Sequence, residues 1–188
     1  MAAETQASTQ NIQHKLSPRK VVIIGPESTG KSTLSEALAH ELQTLWVPEY
    51  ARAYLQARNN KYSEEDMLIM AQGQMQTEDA AAQNADKWLI CDTDLNVIKV
   101  WVEHKYKRCA SWILEEIARR KYDLYLLTYI DINWEDDPQR EHGAQDMRQY
   151  FYNIYRDIVQ NSDLPWVDIR GSHEKRIATA LQAMQSLI

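Results

Sequence analysis

Gly25-Pro-Glu-Ser-Thr-Gly-Lys-Ser-Thr33, GPESTGKST, directly follows the apolar run KVVIIG and precedes a segment with helical periodicity. The stretch fits the pattern G-x4-G-K-[ST]. Its glycines let the backbone curl so that successive N–H groups face one anion, and the next helix adds its positive N-terminus. A buried strand before the motif and an amphipathic helix after it favour a phosphate-binding loop over a chance Gly-Lys-Ser turn.

The residue types of this loop predict how it holds a nucleoside triphosphate. Lys31 is expected to reach the β- and γ-phosphates, and the Ser32 hydroxyl is expected to ligate magnesium. The predicted triphosphate-binding residues of the loop are Gly25, Glu27, Ser28, Thr29, Gly30, Lys31, Ser32 and Thr33.

The remaining apolar pattern predicts a three-layer α/β fold: a five-stranded parallel sheet with helices on both faces and a lid segment. The predicted strands are KVVIIG (20–25), TLWVPEYAR as far as Pro48, KWLICDTD (87–94), YDLYLLTYI (122–130) and PWVDIRG (165–171). Helices are predicted after the phosphate loop (Leu34, Ala37, Leu38, Leu42), over 63–85, about 94–103, 111–120 and 147–158, and at the end (Ile177, Leu181, Met184, Ile188). Ser63 and Asp66 form a capping-box signature at the start of the long second helix.

Length and composition suit one domain over residues 19–188 after a disordered polar tail of residues 1–18. The formal net charge of -6 argues against non-specific binding of nucleic acid. No run approaches the roughly 20 apolar residues that span a bilayer, and the start lacks a secretory h-region. Cys91 and Cys109 form no disulfide or metal pattern, so we expect a cytoplasmic protein without a membrane partner. A homo-oligomer is compatible with the sequence.

Acidic residues follow two predicted strands, where ligands bind in such folds. For Asp92 we favour a metal role over that of a helix cap, and Thr93 or Asp94 is the alternative cap. Glu49 is a general base or an anchor for a sugar hydroxyl, unless it is a surface acid paired with Arg52. The sequence leaves open whether Glu49 or Asp92 is the base.

The segment DINWEDDPQREHGAQ (131–145) is predicted to be a mobile lid. Arg140 would neutralise charge during transfer while closure excludes water, although a solvated charged loop is equally compatible. Arg148 on the next helix is a second candidate. Aromatic side chains near the acceptor side stack on a flat ring or simply pack in the core. They are Tyr50, Tyr54, Trp101 and Tyr106.

Several segments, in order and spacing, resemble the ribosylnicotinamide kinase domain of the bacterial NadR proteins, from about Lys20 to Ile188. They are GPESTGKSTL, VPEYAR, AQGQMQTED, CDTD, KVW, WEDDPQRE and IRGSHEKR. The resemblance implies a P-loop kinase that uses ATP and Mg2+ to phosphorylate the 5′-hydroxyl of nicotinamide riboside, giving nicotinamide mononucleotide in NAD salvage. The family's lid usually reads Asp-Gly before the arginine region, where this chain reads DDPQRE.

With the resemblance, the site residues fall into four predicted groups. The catalytic group is Lys31, Glu49, Asp92 and Arg140. The substrate-binding group is Glu49, Tyr50, Arg52, Asp94 and Trp101. The metal ligands are Ser32 and Asp92. The resemblance also places Gly171 and Ser172 beside the adenine, which adds them to the ATP-binding group.

Longer family members carry nucleotidyl transferase and DNA-binding domains, so we expect this chain to phosphorylate without adenylylating and not to act as a repressor. Two other functions stay open. One is a kinase for another nucleoside or small metabolite, because acceptor choice depends on the shape of the pocket. The other is a nucleotide-sensing P-loop ATPase, although the sequence has no Asn-Lys-x-Asp element for guanine.

Overall fold

The computed structural model describes residues 17–188, so most of the predicted disordered tail lies outside the described residues. Five strands form one sheet: β1 (Arg19–Ile24), β2 (Leu45–Val47), β3 (Trp88–Asp92), β4 (Leu124–Thr128) and β5 (Trp166–Ile169). Their spatial order is β2-β3-β1-β4-β5, and every pairing is parallel. The predicted five-stranded parallel sheet is therefore confirmed.

Seven helices connect and cover the strands in residues 17–188. They are α1 (Lys31–Glu41), α2 (Tyr50–Ala57), α3 (Glu64–Asn84), α4 (Leu95–Tyr106), α5 (Ser111–Arg119), α6 (Gln145–Gln160) and α7 (His173–Gln185). Among them, no helix is both long and apolar enough to cross a bilayer.

Every side chain of β3 and β4 is buried, as is every side chain of β1 from Val21 to Ile24, which explains the continuous apolar runs of these central strands. Val21 and Ile23 of β1 pack towards α1 and α7, while Val22 and Ile24 pack towards α3, α4 and α6. A third apolar cluster joins α2 and α5 to α3 and α4. The sheet is thus buried on both faces, and its strand ends are left for ligand binding.

Helix ends agree with the local signals at two sites and differ at a third. Ser63 and Asp66 form the predicted capping box at the start of α3. Asp94, the alternative cap, accepts a hydrogen bond from the main-chain N–H of Asn96 at the start of α4. The extension of the last helix to Ile188 was wrong, because α7 ends at Gln185 and Ile188 is 71% exposed.

Candidate active site

The site lies at the carboxyl ends of the neighbouring strands β1 and β3, where the connections that follow these strands separate. In the strand order β2-β3-β1-β4-β5, the chain leaves β1 and β3 in different directions, which opens a crevice between them. A cavity of about 420 Å3 occupies this crevice. The phosphate loop, Glu49, Asp92 and part of the segment 131–145 line it.

The phosphate loop is shaped by its glycines and by contact with β4. A Cβ on Gly25 would lie 2.3 Å from the Thr128 hydroxyl oxygen, so only glycine fits there. Gly30 has a φ of 75°, in the region that glycine adopts without strain. The Thr29 hydroxyl lies 2.8 Å from the Pro26 carbonyl and 2.7 Å from the Thr128 hydroxyl. The loop is therefore held in place by contacts with Thr128 of β4.

Lys31 and Ser32 begin α1 and lie at the cavity, as predicted for residues that meet phosphates and metal. The Lys31 ammonium donates to the Pro26 carbonyl at 2.8 Å, which places its charge across the mouth of the loop. Asp92 also lines the cavity, and the nearby Ser32 hydroxyl acts to lower the pKa of that carboxyl, so the two predicted metal ligands lie close together.

Asp92 ends β3 in a buried position facing the cavity, with 1% of its surface exposed. Its Oδ1 atom has no hydrogen-bond partner among residues 17–188. Burial, and after it the nearby Glu49 carboxylate, raise the pKa of Asp92 to about 6, whereas Lys31 and the Ser32 hydroxyl act in the opposite direction. A buried oxygen without a partner is poorly stabilised as a charge until a cation arrives.

Mg2+ fits this donor set. Magnesium in phosphoryl-transfer sites usually takes one or two protein oxygens, and phosphates and water supply the rest. Asp92 and Ser32 offer such a pair beside the phosphate loop. Within residues 17–188 no group of three His, Cys, Asp or Glu side chains is placed to hold a metal by itself.

Glu49 and Arg52 reach the cavity from the start of α2. Arg52 does not take Glu49 as its ion-pair partner but binds Asp137 of the segment 131–145 at 3.0 Å. Glu49 and Glu27 also contribute, after burial, to a raised pKa of the Tyr155 hydroxyl. The carboxylates of Glu27 and Glu49 therefore both lie near the Tyr155 side of the cavity.

The segment 131–145 has no helix or strand before its last residue and contacts the phosphate loop at two points. The Glu27 carboxylate accepts the main-chain N–H groups of Glu141 and His142 at 3.1 and 3.0 Å. The Ser28 hydroxyl accepts from the Arg140 guanidinium at 3.2 Å and from the N–H of Glu135 at 3.0 Å. Arg140 thus lies beside the loop, as a lid arginine would. The Glu27 side chain binds this segment.

The acceptor end of the cavity has an apolar and aromatic wall. Trp101 was expected here and does line it. The wall also contains residues that the sequence did not indicate: Trp46, Val97, His142, Phe151 and Tyr155. Periodicity placed Phe151 and Tyr155 correctly on the inner face of α6, but that pattern does not distinguish a residue of the core from one that lines a cavity.

Two of the predicted substrate-binding residues do not reach the cavity. Asp94 is buried beneath α4, where it accepts hydrogen bonds from Asn96 and from the Tyr125 hydroxyl at 2.8 Å. Burial raises the pKa of Asp94 to about 6. Tyr50 packs its ring against Gly73 of α3. Both interpretations are corrected, because Asp94 caps a helix and Tyr50 joins two helices.

Four other candidates also lie outside the residues that line this cavity. Tyr54 donates to Asp66 at 2.5 Å, and Tyr106 packs in the cluster of α2 to α5. Gly171 and Ser172 are exposed between β5 and α7, where Ser172 caps α7. Their predicted place beside a base stays a prediction.

Arginines from the last two long helices support the phosphate loop. Arg148 of α6 lines the cavity and donates to the carbonyls of Ser28 and Ile132 at 3.1 and 3.0 Å. Arg176 of α7 donates to the carbonyl of Thr29 at 2.9 Å. Arg148 was the second lid candidate in the sequence and Arg176 was not predicted, because nothing local marks a helix arginine as a neighbour of a distant loop.

The fold and the site define a P-loop nucleotide-binding α/β domain. The chain belongs to the family described as AAA domain, which matches residues 20–176. It is similar to the trifunctional NAD biosynthesis/regulator protein NadR of Salmonella typhimurium, at 28% identity over 177 residues. The match covers 90% of this chain and 43% of that protein, so the chain spans less than half of its relative's length.

Solved structures agree with this placement. The NadR protein in complex with NR matches with a TM-score of 0.74 at 21% identity, over 90% of this chain and 49% of that chain. NadR in complex with NAD and AMP-PNP matches with a TM-score of 0.73 at 22% identity, over the same shares of the two chains. Thymidylate kinase from Ehrlichia chaffeensis matches with a TM-score of 0.64 at 15% identity, over 90% of this chain and 100% of the thymidylate kinase chain. The predicted fold and the resemblance to NadR are both confirmed.

Proposed function

We propose that this domain is an ATP-dependent small-molecule kinase that phosphorylates the 5′-hydroxyl of nicotinamide riboside. The observation that carries the proposal is the meeting of two carboxylates with the phosphate loop in one cavity. Asp92 and Glu49 come from neighbouring strand ends and face Lys31 and Ser32. A loop for the triphosphate with a separate acidic compartment suits transfer to a hydroxyl.

The acceptor compartment supports a flat and cationic substrate. The aromatic side chains of Trp101 and Phe151 line the cavity, and the carboxylate of Glu49 adds negative charge to the same cavity. Aromatic faces and negative charge together favour a cationic ring over a neutral one. The similarity to NadR, including a NadR structure in complex with NR, supports the same acceptor.

The mechanism is an in-line transfer in which the chain mainly positions charges. The loop N–H groups and Lys31 hold the β- and γ-phosphates, while Ser32 and Asp92 would hold Mg2+. Mg2+ held there would supply positive charge against the negative charge that develops during transfer. Glu49 orients the acceptor hydroxyl and accepts its proton as the oxygen attacks. Arg140 adds positive charge beside the loop, and the segment 131–145 excludes water.

A coupled assay of ADP release tests this function with ATP, Mg2+ and a panel of acceptors. The panel contains nicotinamide riboside, its uncharged reduced form, and purine and pyrimidine ribosides and deoxyribosides. Highest kcat/KM with nicotinamide riboside, together with mononucleotide detected by mass spectrometry, is the expected result. A preference for a deoxynucleoside would keep the kinase and replace its substrate. ADP release without any acceptor would point to an ATPase.

The Lys31→Ala variant is the control for contaminating kinases in that assay. Loss of a charge at the transferred phosphate should reduce turnover by about 10²-fold or more. Lys31 makes its hydrogen bond at the cavity, so the thermal stability should remain close to that of the wild type. Turnover equal to the wild type would show that the loop does not carry the reaction.

A further inference from the structure

Arg176 is a buried cation that lies outside the cavity but contacts the phosphate loop from behind. It is 3% exposed and sits in the first turns of α7. Its guanidinium donates to three carbonyls: Thr29 at 2.9 Å, Tyr129 at 3.2 Å and Gly171 at 3.0 Å. It also pairs with the carboxylate of Asp131. Three separate segments of the chain therefore meet at one side chain.

The contact with Thr29 fixes the orientation of a peptide group that faces the cavity. In a trans peptide the C=O and the next N–H point in opposite directions. Since Arg176 holds the Thr29 carbonyl on the far side, the N–H of Gly30 points away from Arg176 and towards the cavity that Gly30 lines. Arg148 holds the carbonyl of Ser28 in the same manner, which orients the N–H of Thr29.

The Thr29 side chain is also held, so the peptide has little freedom to turn. Its hydroxyl interacts with Pro26 and Thr128 on the β4 side, while Arg176 binds its carbonyl from the α7 side. Asp131 accepts from both Arg176 and the N–H of Gly171, which keeps the guanidinium in a single place. A planar guanidinium can hold several acceptors at once in this way, and a lysine cannot.

We propose that Arg176 is a positioning residue for triphosphate binding: it presets the Thr29–Gly30 peptide so that its N–H is ready for phosphate. The inference rests on the proposed function only in that the loop holds a nucleoside triphosphate. A loop whose N–H groups are already oriented does not have to reorganise on binding, and this raises affinity for the anion. Arg148 lines the cavity and could contact the triphosphate directly, whereas Arg176 does not line it. At Arg176, an effect on the orientation of the loop can therefore be separated from direct contact with the triphosphate.

The test compares Arg176→Gln and Arg176→Lys with Arg120→Gln, measuring binding and thermal unfolding without any acceptor. Arg120 is the matched control, since it is a partly buried arginine at the end of α5 whose carboxylate partners, Glu78, Asp79 and Glu116, all lie outside the phosphate loop. Calorimetry uses two probes, Mg-ATP and inorganic tripolyphosphate. Omitting the acceptor keeps the test valid even if nicotinamide riboside is not the substrate.

Arg176→Gln is expected to raise the dissociation constants of both probes by about tenfold or more, which is the effect of one lost charge-assisted hydrogen bond. Arg176→Lys keeps the charge but loses the planar guanidinium that binds several acceptors at once, and it should raise both dissociation constants by a smaller factor. Arg120→Gln should lower the melting temperature and leave both dissociation constants within about twofold of the wild type.

Three results would overturn the proposal. In the first, Arg176→Gln binds tripolyphosphate as tightly as the wild type. In the second, Arg176→Lys matches the wild type, which would mean that charge alone suffices. In the third, Arg120→Gln weakens both probes as much as Arg176→Gln at an equal loss of stability, which would reduce the effect to folding. If Arg176→Gln does not fold, Arg176→Lys alone decides the question.

Discussion

At the scale of single residues, the stretch CDTD shows how one backbone angle separates two acids. Asp92 faces the cavity, whereas Asp94 caps α4 and is turned into the core. Thr93 between them has a φ of 75°, which is rare for a β-branched residue. Such strain is typical of functional sites, where the surrounding structure maintains it. Here it turns the chain sharply and gives the two carboxylates different roles.

Replacing Asp92 by Asn should stabilise the protein while abolishing turnover. The folded chain holds the proton of Asp92 more tightly than the unfolded chain, since its pKa is raised to about 6. The wild type therefore loses stability as pH rises from about 4 to about 6, whereas the uncharged amide of the variant has no proton to release. We expect a gain of roughly 3 kcal/mol above pH 6. Urea unfolding between pH 4 and 8 without Mg2+ measures it.

The pH dependence is the informative part of that measurement. The difference between Asp92→Asn and the wild type should be small near pH 4 and constant above pH 6. A difference that stays the same at every pH would contradict a raised pKa for Asp92 as its source.

Replacing Glu49 by Gln should separate the chemistry from ATP binding. Glu49 reaches the cavity from the start of α2 and lies near Asp92. Loss of a general base lowers kcat by about 10²-fold or more, while the dissociation constant for Mg-ATP should stay within about twofold. Glu41→Gln on the exposed end of α1 is the control. A selective loss of ATP affinity would place Glu49 on the nucleotide side.

At the scale of elements, the position of Glu49 depends on how α2 packs on α3. The ring of Tyr50 covers Gly73, and the main-chain N–H of Tyr50 donates to Gln74 at 2.7 Å. These contacts fix the first turn of α2, which carries Glu49 and Arg52 to the cavity. A glycine inside a long helix thus serves a close approach between two helices.

Replacing Gly73 by Ala should therefore destabilise the protein, although alanine is the better helix former. A Cβ at Gly73 would lie 2.3 Å from the Tyr50 ring. We expect a loss of about 1–3 kcal/mol from overpacking, together with a higher KM for the acceptor because Glu49 moves. Chemical denaturation and acceptor kinetics measure the two effects.

A double-mutant cycle checks the physical cause of that loss. Combining Gly73→Ala with Tyr50→Ala removes the clash, so the second change should cost less in the Gly73→Ala background than in the wild type. Strictly additive losses would mean that the ring of Tyr50 is not what limits the space at Gly73.

Glu27 is one of the anchors of the segment 131–145. Replacing Glu27 by Ala removes the acceptor of two main-chain N–H groups, those of Glu141 and His142. Their hydrogen exchange should become about tenfold faster, and the KM for the acceptor should rise as the lid loosens. Glu135→Ala is the control, because Glu135 contacts Ser28 through its main chain. Unchanged exchange in Glu27→Ala would show that the lid is held elsewhere.

At the scale of the whole molecule, a buried ionic network ties β1 to the α3–α5 layer. Glu78 of α3 has no exposed surface and accepts from Lys20 at 2.8 Å, Arg120 at 3.1 Å and the Tyr122 hydroxyl at 3.0 Å. The charges are satisfied by one another inside the fold. Removing one partner therefore costs far more than an exposed ion pair contributes.

Replacing Glu78 by Ala should destabilise the protein by roughly 3 kcal/mol, because Lys20 loses its carboxylate in a half-buried position. Replacing Asp79 by Ala, whose side chain is 56% exposed, should cost less than about 1 kcal/mol although it also binds Arg120. Guanidinium denaturation of both variants measures the contrast. Equal losses would mean that the network is no more than a surface pair.

The sequence by itself determined the class of fold and the phosphate loop. Continuous apolar runs and helical periods are local patterns, and GPESTGKST carries its own backbone geometry in its glycines. Glu49 and Asp92 could also be predicted as site residues from the sequence, because strand ends meet at one edge of a parallel sheet. These inferences need only neighbours in the chain and a general rule for α/β folds.

The tertiary structure alone decided which side chains complete the site. The sequence offered Asp94 both as a helix cap and as a substrate contact, and the φ angle of Thr93 decides for the cap. It did not distinguish Tyr50 from Phe151, since both are aromatic residues on helices. Arg176 follows the phosphate loop by more than a hundred residues and reaches it only through the packing of α7. Contacts at that separation depend on where whole elements pack, and no local pattern encodes them.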